Sequence, residues 1–115
     1  MDQMFTNKKT NKFNAKKTIV DGFKFDSVRE AKRYGELKNL ERLGFISNLE
    51  MQPKIDLIVN GKKIGFYRGD FRYNTAQGET VLEDVKSPVT KTPVYKLKKK
   101  ILETYDPPVK ITEIM

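Results

Sequence analysis

Short alternating runs of apolar and polar residues, separated by turn signals, dominate the chain and predict an order of hairpin, helix, strands, helix and strand. Thr18-Ile19-Val20 and Phe23-Lys24-Phe25 flank Asp21-Gly22, a two-residue hairpin signal. Asp26-Ser27 then supplies an N-cap, and a helix is expected to about Leu43, stopped by Gly44. Its apolar stripe is Tyr34, Leu37, Leu40 and Gly44, and Glu30 extends that stripe backwards at helical spacing. Ile46 to Met51 and Ile55 to Val59 read as strands, interrupted by Gln52-Pro53, the second ending at the Asn60-Gly61 turn. One strand is expected from Ile64 to Tyr73. On it Tyr67, Phe71 and Tyr73 share one face and Phe66, Arg68, Asp70 and Arg72 the other. A turn over Asn74 to Glu79 leads into a strand ending at Lys86, where Val81, Leu82 and Val85 place apolar residues on both faces, as in a central buried strand. Ser87 to Thr90 reads as a loop, and Thr92-Pro93 opens a second helix with proline at its favoured first position. Val94, Leu97, Ile101 and Tyr105 form the expected apolar stripe of that helix. Asp106-Pro107-Pro108 ends it, and Val109 to Ile114 closes the chain as a last strand.

Length and composition narrow the chemistry. The 115 residues suit one domain with its own core, expected over residues 16–115, after a flexible basic arm over residues 1–15. There is no cysteine, so no disulfide framework, thiolate zinc site or cysteine nucleophile. There is no histidine either, which removes Ser-His-Asp catalysis and the usual transition-metal ligands. Any metal would be held by carboxylates and carbonyls, which points to Mg²⁺ or Mn²⁺. A net charge of +8 gives the chain an electrostatic reason to meet a polyanion, nucleic acid being the commonest. No apolar run approaches a membrane span and no signal-peptide pattern is present, so a cytoplasmic location without a membrane partner is expected.

Within this frame a few residues stand out. Asp84 and Lys86, two apart on one strand, point the same way, and the preceding strand carries Asp70. Two acids and a lysine amid apolar strands are costly unless something uses them, and a hard metal ion beside a phosphate is an economical user. A salt bridge with Arg68 or Arg72 is the plainer reading of Asp70. Glu83 faces away from Asp84 and reads as a bystander. Ser27-x-x-Glu30 reads as a capping box, while the place of Glu30 on the buried stripe also suits a third site carboxylate. Lys96, Lys98, Lys99 and Lys100 crowd the second helix with no acid among them, which favours a phosphate-contacting surface over a merely solvated one.

The ordered set Glu30, Asp70 and Asp84-Val85-Lys86 resembles the signature of the PD-(D/E)xK, restriction-endonuclease-like nuclease superfamily. Phe25-Asp26-Ser27 through Glu30-Ala31, with Asp70-Phe71 and Glu83-Asp84-Val85-Lys86, looks like a small phage-encoded family of that superfamily, similar also to Holliday-junction resolvases and transposon end-cutting endonucleases. Gly69 stands where the superfamily's name has a proline. The resemblance covers roughly Lys16 to the C-terminus. It implies an α/β fold with a restriction-endonuclease-like core, a central mixed β-sheet flanked by two helices, and an N-terminal β-hairpin. It further implies a Mg²⁺- or Mn²⁺-dependent DNA endonuclease, selective for branched or duplex DNA, homodimeric, and acting in phage DNA metabolism inside a bacterial host. Asp70 and Asp84 would ligate the metal, with the Val85 carbonyl as a third oxygen and Glu30 acting through water or on a second ion. Lys86 would orient the attacking water and stabilise transition-state charge. Gln52 is a lesser candidate, and Tyr34 and Lys96 are weaker still. Two other readings stand beside this one: a catalytically inactive DNA-binding accessory protein of phage replication, recombination or packaging, and an RNA-directed role.

Overall fold

Two residues with positive φ, Asp21 (52°) and Gly22 (80°), turn the chain tightly enough to pair β1 (Thr18–Val20) with β2 (Phe23–Phe25) in antiparallel register. The computed structural model describes residues 18–115, so the basic arm expected over residues 1–15 lies outside the described residues. The chain divides after Glu36 into two compact units.

In the first unit the hairpin leads into α1 (Val28–Arg42), which continues into the second. Ser27 caps the helix, its Oγ accepting the Glu30 N–H at 3.1 Å, as the capping-box spacing predicts. Phe25 is buried and its ring lies 5.1 Å from that of Tyr34. The Tyr34 hydroxyl donates to Asp21 Oδ2 at 2.9 Å, tying the turn to the helix.

The second unit begins with the C-terminal part of α1. Gly44 (φ 86°) terminates it in a Schellman arrangement, with the Phe45 N–H on the Leu40 carbonyl at 3.0 Å and the Gly44 N–H on the Glu41 carbonyl at 3.1 Å. There follow β3 (Ile46–Met51), β4 (Lys54–Val59), β5 (Lys62–Arg68), β6 (Phe71–Thr75), β7 (Thr80–Val85), α2 (Pro93–Glu103) and β8 (Ile111–Ile114). A four-stranded mixed sheet has the order β3-β6-β7-β8, in which only β7 and β8 run parallel, and β4-β5 forms a separate ribbon. The parallel pair is joined through α2, because a parallel connection needs a crossover of about a dozen residues or more. The fold is thus α/β, with two helices, a mixed sheet and an N-terminal hairpin. No helix among the described residues is long and apolar enough to cross a membrane.

The structure corrects the sequence reading in two places that bear on function. The strand expected from Ile64 to Tyr73 is two strands in different sheets, broken at Gly69-Asp70. The break lies opposite Gln52-Pro53, which separates β3 from β4, so both paired chains change sheet together. The Gly69 N–H bonds the Pro53 carbonyl at 2.9 Å, and the Gln52 N–H bonds the Asp70 carbonyl at 2.8 Å. A Cβ on Gly69 would stand 2.8 Å from Leu82 Cδ1, so any other residue here would have to push that buried side chain aside. The break also puts Tyr67 on the opposite side of the sheet from Phe71 and Tyr73, as the bonds described below show.

The second correction concerns α2. Val94 and Leu97 are 61% and 60% exposed, and the buried residues are Tyr95 and Leu102, spaced i, i+7. Ile101 and Tyr105 of the expected stripe are partly buried. The helix starts where predicted, with Thr92 Oγ1 accepting the Tyr95 N–H at 3.1 Å and Pro93 at its start, but its inner face is rotated by one residue. That face joins Leu57, Tyr67, Leu82 and Ile111 in one core cluster, where each fully buried leucine contributes roughly 2 kcal/mol. The expected loop after β7 contains a short 3₁₀ turn at Pro88–Thr90, closed by the Ser87 N–H on Thr90 Oγ1 at 2.8 Å.

Candidate active site

β7 is central in its sheet, and its two adjacent acids are both buried: Glu83 is 1% exposed and Asp84 5%. Alternation along the strand sends them to opposite faces. On one face the Tyr73 hydroxyl donates to Glu83 Oε2, and Phe71 is the cross-strand neighbour of Glu83. On the other the Tyr67 hydroxyl donates to Asp84 Oδ2, and Lys86 Nζ lies 3.4 Å from Asp84 Oδ1. The expected alignment of Asp84 with Lys86 is therefore present. Glu83, expected to face away from Asp84, does so, as a buried acid that accepts the Tyr73 hydroxyl.

Asp70 arrives on the Asp84 side through the strand break. Its N–H bonds the Glu83 carbonyl at 3.0 Å, and its Oδ2 accepts the Val85 N–H at 2.6 Å. The carboxylate is thereby seated against β7 next to Asp84. Asp70, Asp84, Val85 and Lys86 are brought together within the second unit, as the spacing suggested, although Asp70 sits at a junction and not within a strand. Gln52 touches the group through its backbone bond to Asp70 and adopts φ 54°. Glu30 is half-buried in the first unit, where its N–H is taken by Ser27.

Three residues unforeseen from the sequence extend the cluster. Lys86 Nζ lies 4.1 Å from the centroid of the Tyr95 ring, a cation–π contact. The Tyr95 hydroxyl donates to Glu113 Oε2 at 2.6 Å. Glu113, directly across from Asp84 in the parallel β7–β8 register, also binds Lys91 Nζ at 2.8 Å and Lys99 Nζ at 3.1 Å. These ties, that to Lys91 foremost, hold the Glu113 carboxyl down at about 2 against the opposing effect of burial. Burial, and then the neighbouring carboxylates, push the hydroxyls of Tyr67 and Tyr95 well above their ordinary range, so both stay protonated and serve as donors. Thr92 as N-cap places Tyr95 in the first turn of α2 but does not signal its burial. The pairing of Glu113 with Asp84 was not visible, since it depends on how α2 returns the chain.

The lysines of α2 divide. Lys99 is committed to Glu113, and Lys98 donates to the Phe66 carbonyl at 2.8 Å, while Lys96 and Lys100 are exposed. Lys91, Tyr95, Lys96, Lys99, Lys100, Glu103 and Glu113 line a groove of about 340 Å³. Of the four lysines expected to form a phosphate-contacting surface, Lys96 and Lys100 are thus exposed, while Lys98 and Lys99 are half-buried and bonded to β5 and β8.

The donor set suits a hard divalent ion. Asp70 and Asp84 offer carboxylate oxygens beside one another, and the site contains no sulfur or imidazole. Among the described residues no group of three or more acidic, histidine or cysteine side chains is gathered for a metal, so backbone carbonyl or water oxygens would complete the shell.

A family model described as a protein of unknown function (DUF1064) matches residues 10–115. No curated protein and no solved structure matches the chain.

Proposed function

We propose that this chain, which belongs to the DUF1064 family of proteins of unknown function, is a divalent-metal-dependent endonuclease acting on branched or duplex DNA. The observation that carries the reading is the convergence of Asp70, Asp84 and Lys86 on one face of β7, two carboxylates and an ammonium in a half-buried setting. A bound Mg²⁺ or Mn²⁺ would acidify a water and neutralise charge developing on the phosphate. Asp70 and Asp84 would hold the ion, with the Val85 carbonyl adjoining. Tyr67 fixes the rotamer of Asp84 by its hydroxyl, leaving the carboxylate only small freedom to reorient. Lys86, steadied over the Tyr95 ring, would orient the nucleophile and stabilise the transition state. The net charge of +8 and the exposed Lys96 and Lys100 support a polyanionic substrate. A homodimer is part of the proposal, because resolving a four-way junction takes two cuts on two strands.

The test is incubation of the pure protein with labelled four-way junction, flap, linear duplex and single strand, in Mg²⁺, Mn²⁺ or EDTA. Metal-dependent cutting supports the reading, and the substrate ranking separates a resolvase from a general nuclease. Binding without cutting in either metal favours the accessory-protein reading instead.

A further inference from the structure

On the outer face of the β4–β5 ribbon, Phe66 is 37% exposed while three cations surround its ring. Lys54 Nζ lies 4.4 Å from the ring centroid, and Arg68 and Lys98 lie at 5.7 Å each. All three are inside cation–π range. Their placement follows from the ladder: Lys54 pairs directly with Arg68, and Phe66 with Asp56, so the four share one face. The other face of the ribbon carries Leu57 and Tyr67 into the core. Lys98 is fixed from α2 by its bond to the Phe66 carbonyl. Asp56, the acid on this face, is partnered by Lys63 at 3.3 Å.

A large ring left at the surface and ringed by positive charge presents two chemistries together, a π-face and phosphate-pairing groups. Unpaired nucleic acid offers both complements in adjacent positions, whereas in paired duplex the base faces are hidden in the stack. Phe66 precedes Asp70 by four residues, so their Cα atoms are at most about 14 Å apart. A strand crossing the acid pair could therefore reach the ring within a few nucleotides.

We propose that Phe66 is a stacking platform for an unpaired DNA base, with Lys54, Arg68 and Lys98 taking the flanking phosphates. The inference rests on the nucleic-acid reading above and deepens it, by making an unpaired segment the feature that the protein selects.

The chain contains no tryptophan, so Phe66→Trp installs a single fluorescent reporter at the platform. Titrating this variant in EDTA, where metal-dependent cutting is absent, with oligo-dT, an abasic strand of equal length and a blunt duplex reads stacking apart from charge. Quenching by oligo-dT, with little from the abasic strand or the duplex, is expected. In parallel, Phe66→Leu should weaken oligo-dT binding about tenfold while leaving duplex binding nearly unchanged, and Phe66→Trp should retain it. Equal quenching by the abasic strand, or a Phe66→Leu variant that binds oligo-dT like the parent, overturns the platform even if the parent cuts DNA in Mg²⁺. A parent that binds no DNA at all overturns both the platform and the function proposed above.

Discussion

The two faces of β7 carry the same local motif, a buried acid capped by a tyrosine hydroxyl, yet they differ in what else is gathered there. Glu83 meets Tyr73 beside Phe71, at 1% exposure. Asp84 meets Tyr67 together with Lys86, with Asp70 seated on the next backbone amide and Lys86 still 15% exposed. Burial alone therefore does not mark a reactive site. On the Asp84 side Asp70 and Lys86 stand beside the buried acid, and the proposed phosphate chemistry rests on that set.

Variants on the two faces should behave differently, and the largest contrast is in cleavage. Asp84→Asn should lower metal-dependent cutting at least about 10³-fold with DNA binding intact, as measured by single-turnover assay and by gel shift in EDTA. Lys86→Met should cost about 10²-fold in the same assay, with little change in metal affinity, since the lysine is not a ligand. The paired tyrosines sharpen the contrast. Tyr73→Phe strips a hydroxyl from buried Glu83 and should cost about 1–3 kcal/mol in urea unfolding, with cleavage per folded molecule unchanged. Tyr67→Phe should cost similar stability but also slow cleavage, because Asp84 loses the bond that orients it. A Tyr73→Phe protein that is folded but inactive would break the distinction.

A further effect, comparable in stability to the tyrosine variants but without a predicted change in cleavage, concerns acid. Glu113 titrates at about 2 in the folded chain against an ordinary 4.5, so its stabilising contribution is present above 4.5 and is lost as pH falls from there towards 2. Urea unfolding across that window should show the parent losing on the order of 2 kcal/mol more than Glu113→Gln, which lacks the titrating group. Parallel pH profiles would place the Lys91, Tyr95 and Lys99 ties elsewhere.

Much of this arrangement was legible in the sequence where local chemistry decides the outcome. Asp21-Gly22 and Asn60-Gly61 carry positive φ values that few residues accept, and both turns fall where those pairs predict. Ser27, Gly44 and Thr92-Pro93 mark helix ends through their own hydrogen bonds or backbone preference. The neighbourhood of Asp70 with Asp84-Val85-Lys86 was legible too, because a tight turn at Ala76 to Glu79 joins their strands. What escaped depends on distant pairing. The break at Gly69-Asp70 has no local signal stronger than one glycine, and it is held by bonds to the distant Gln52-Pro53 segment. The inner face of α2 and the meeting of Glu113 with Asp84 arise from the return of the chain into a parallel strand, which periodicity in a single helix does not encode.

The proposed chemistry requires the Asp84 face, and not the Glu83 face, to bind the metal. Mn²⁺ binding followed by the electron paramagnetic resonance of the free ion tests it directly on the parent, Asp84→Asn and Glu83→Gln, each checked for folding by circular dichroism. Binding by the parent and by Glu83→Gln is expected, with its loss in Asp84→Asn. Undiminished binding by folded Asp84→Asn, or loss confined to folded Glu83→Gln, would contradict it.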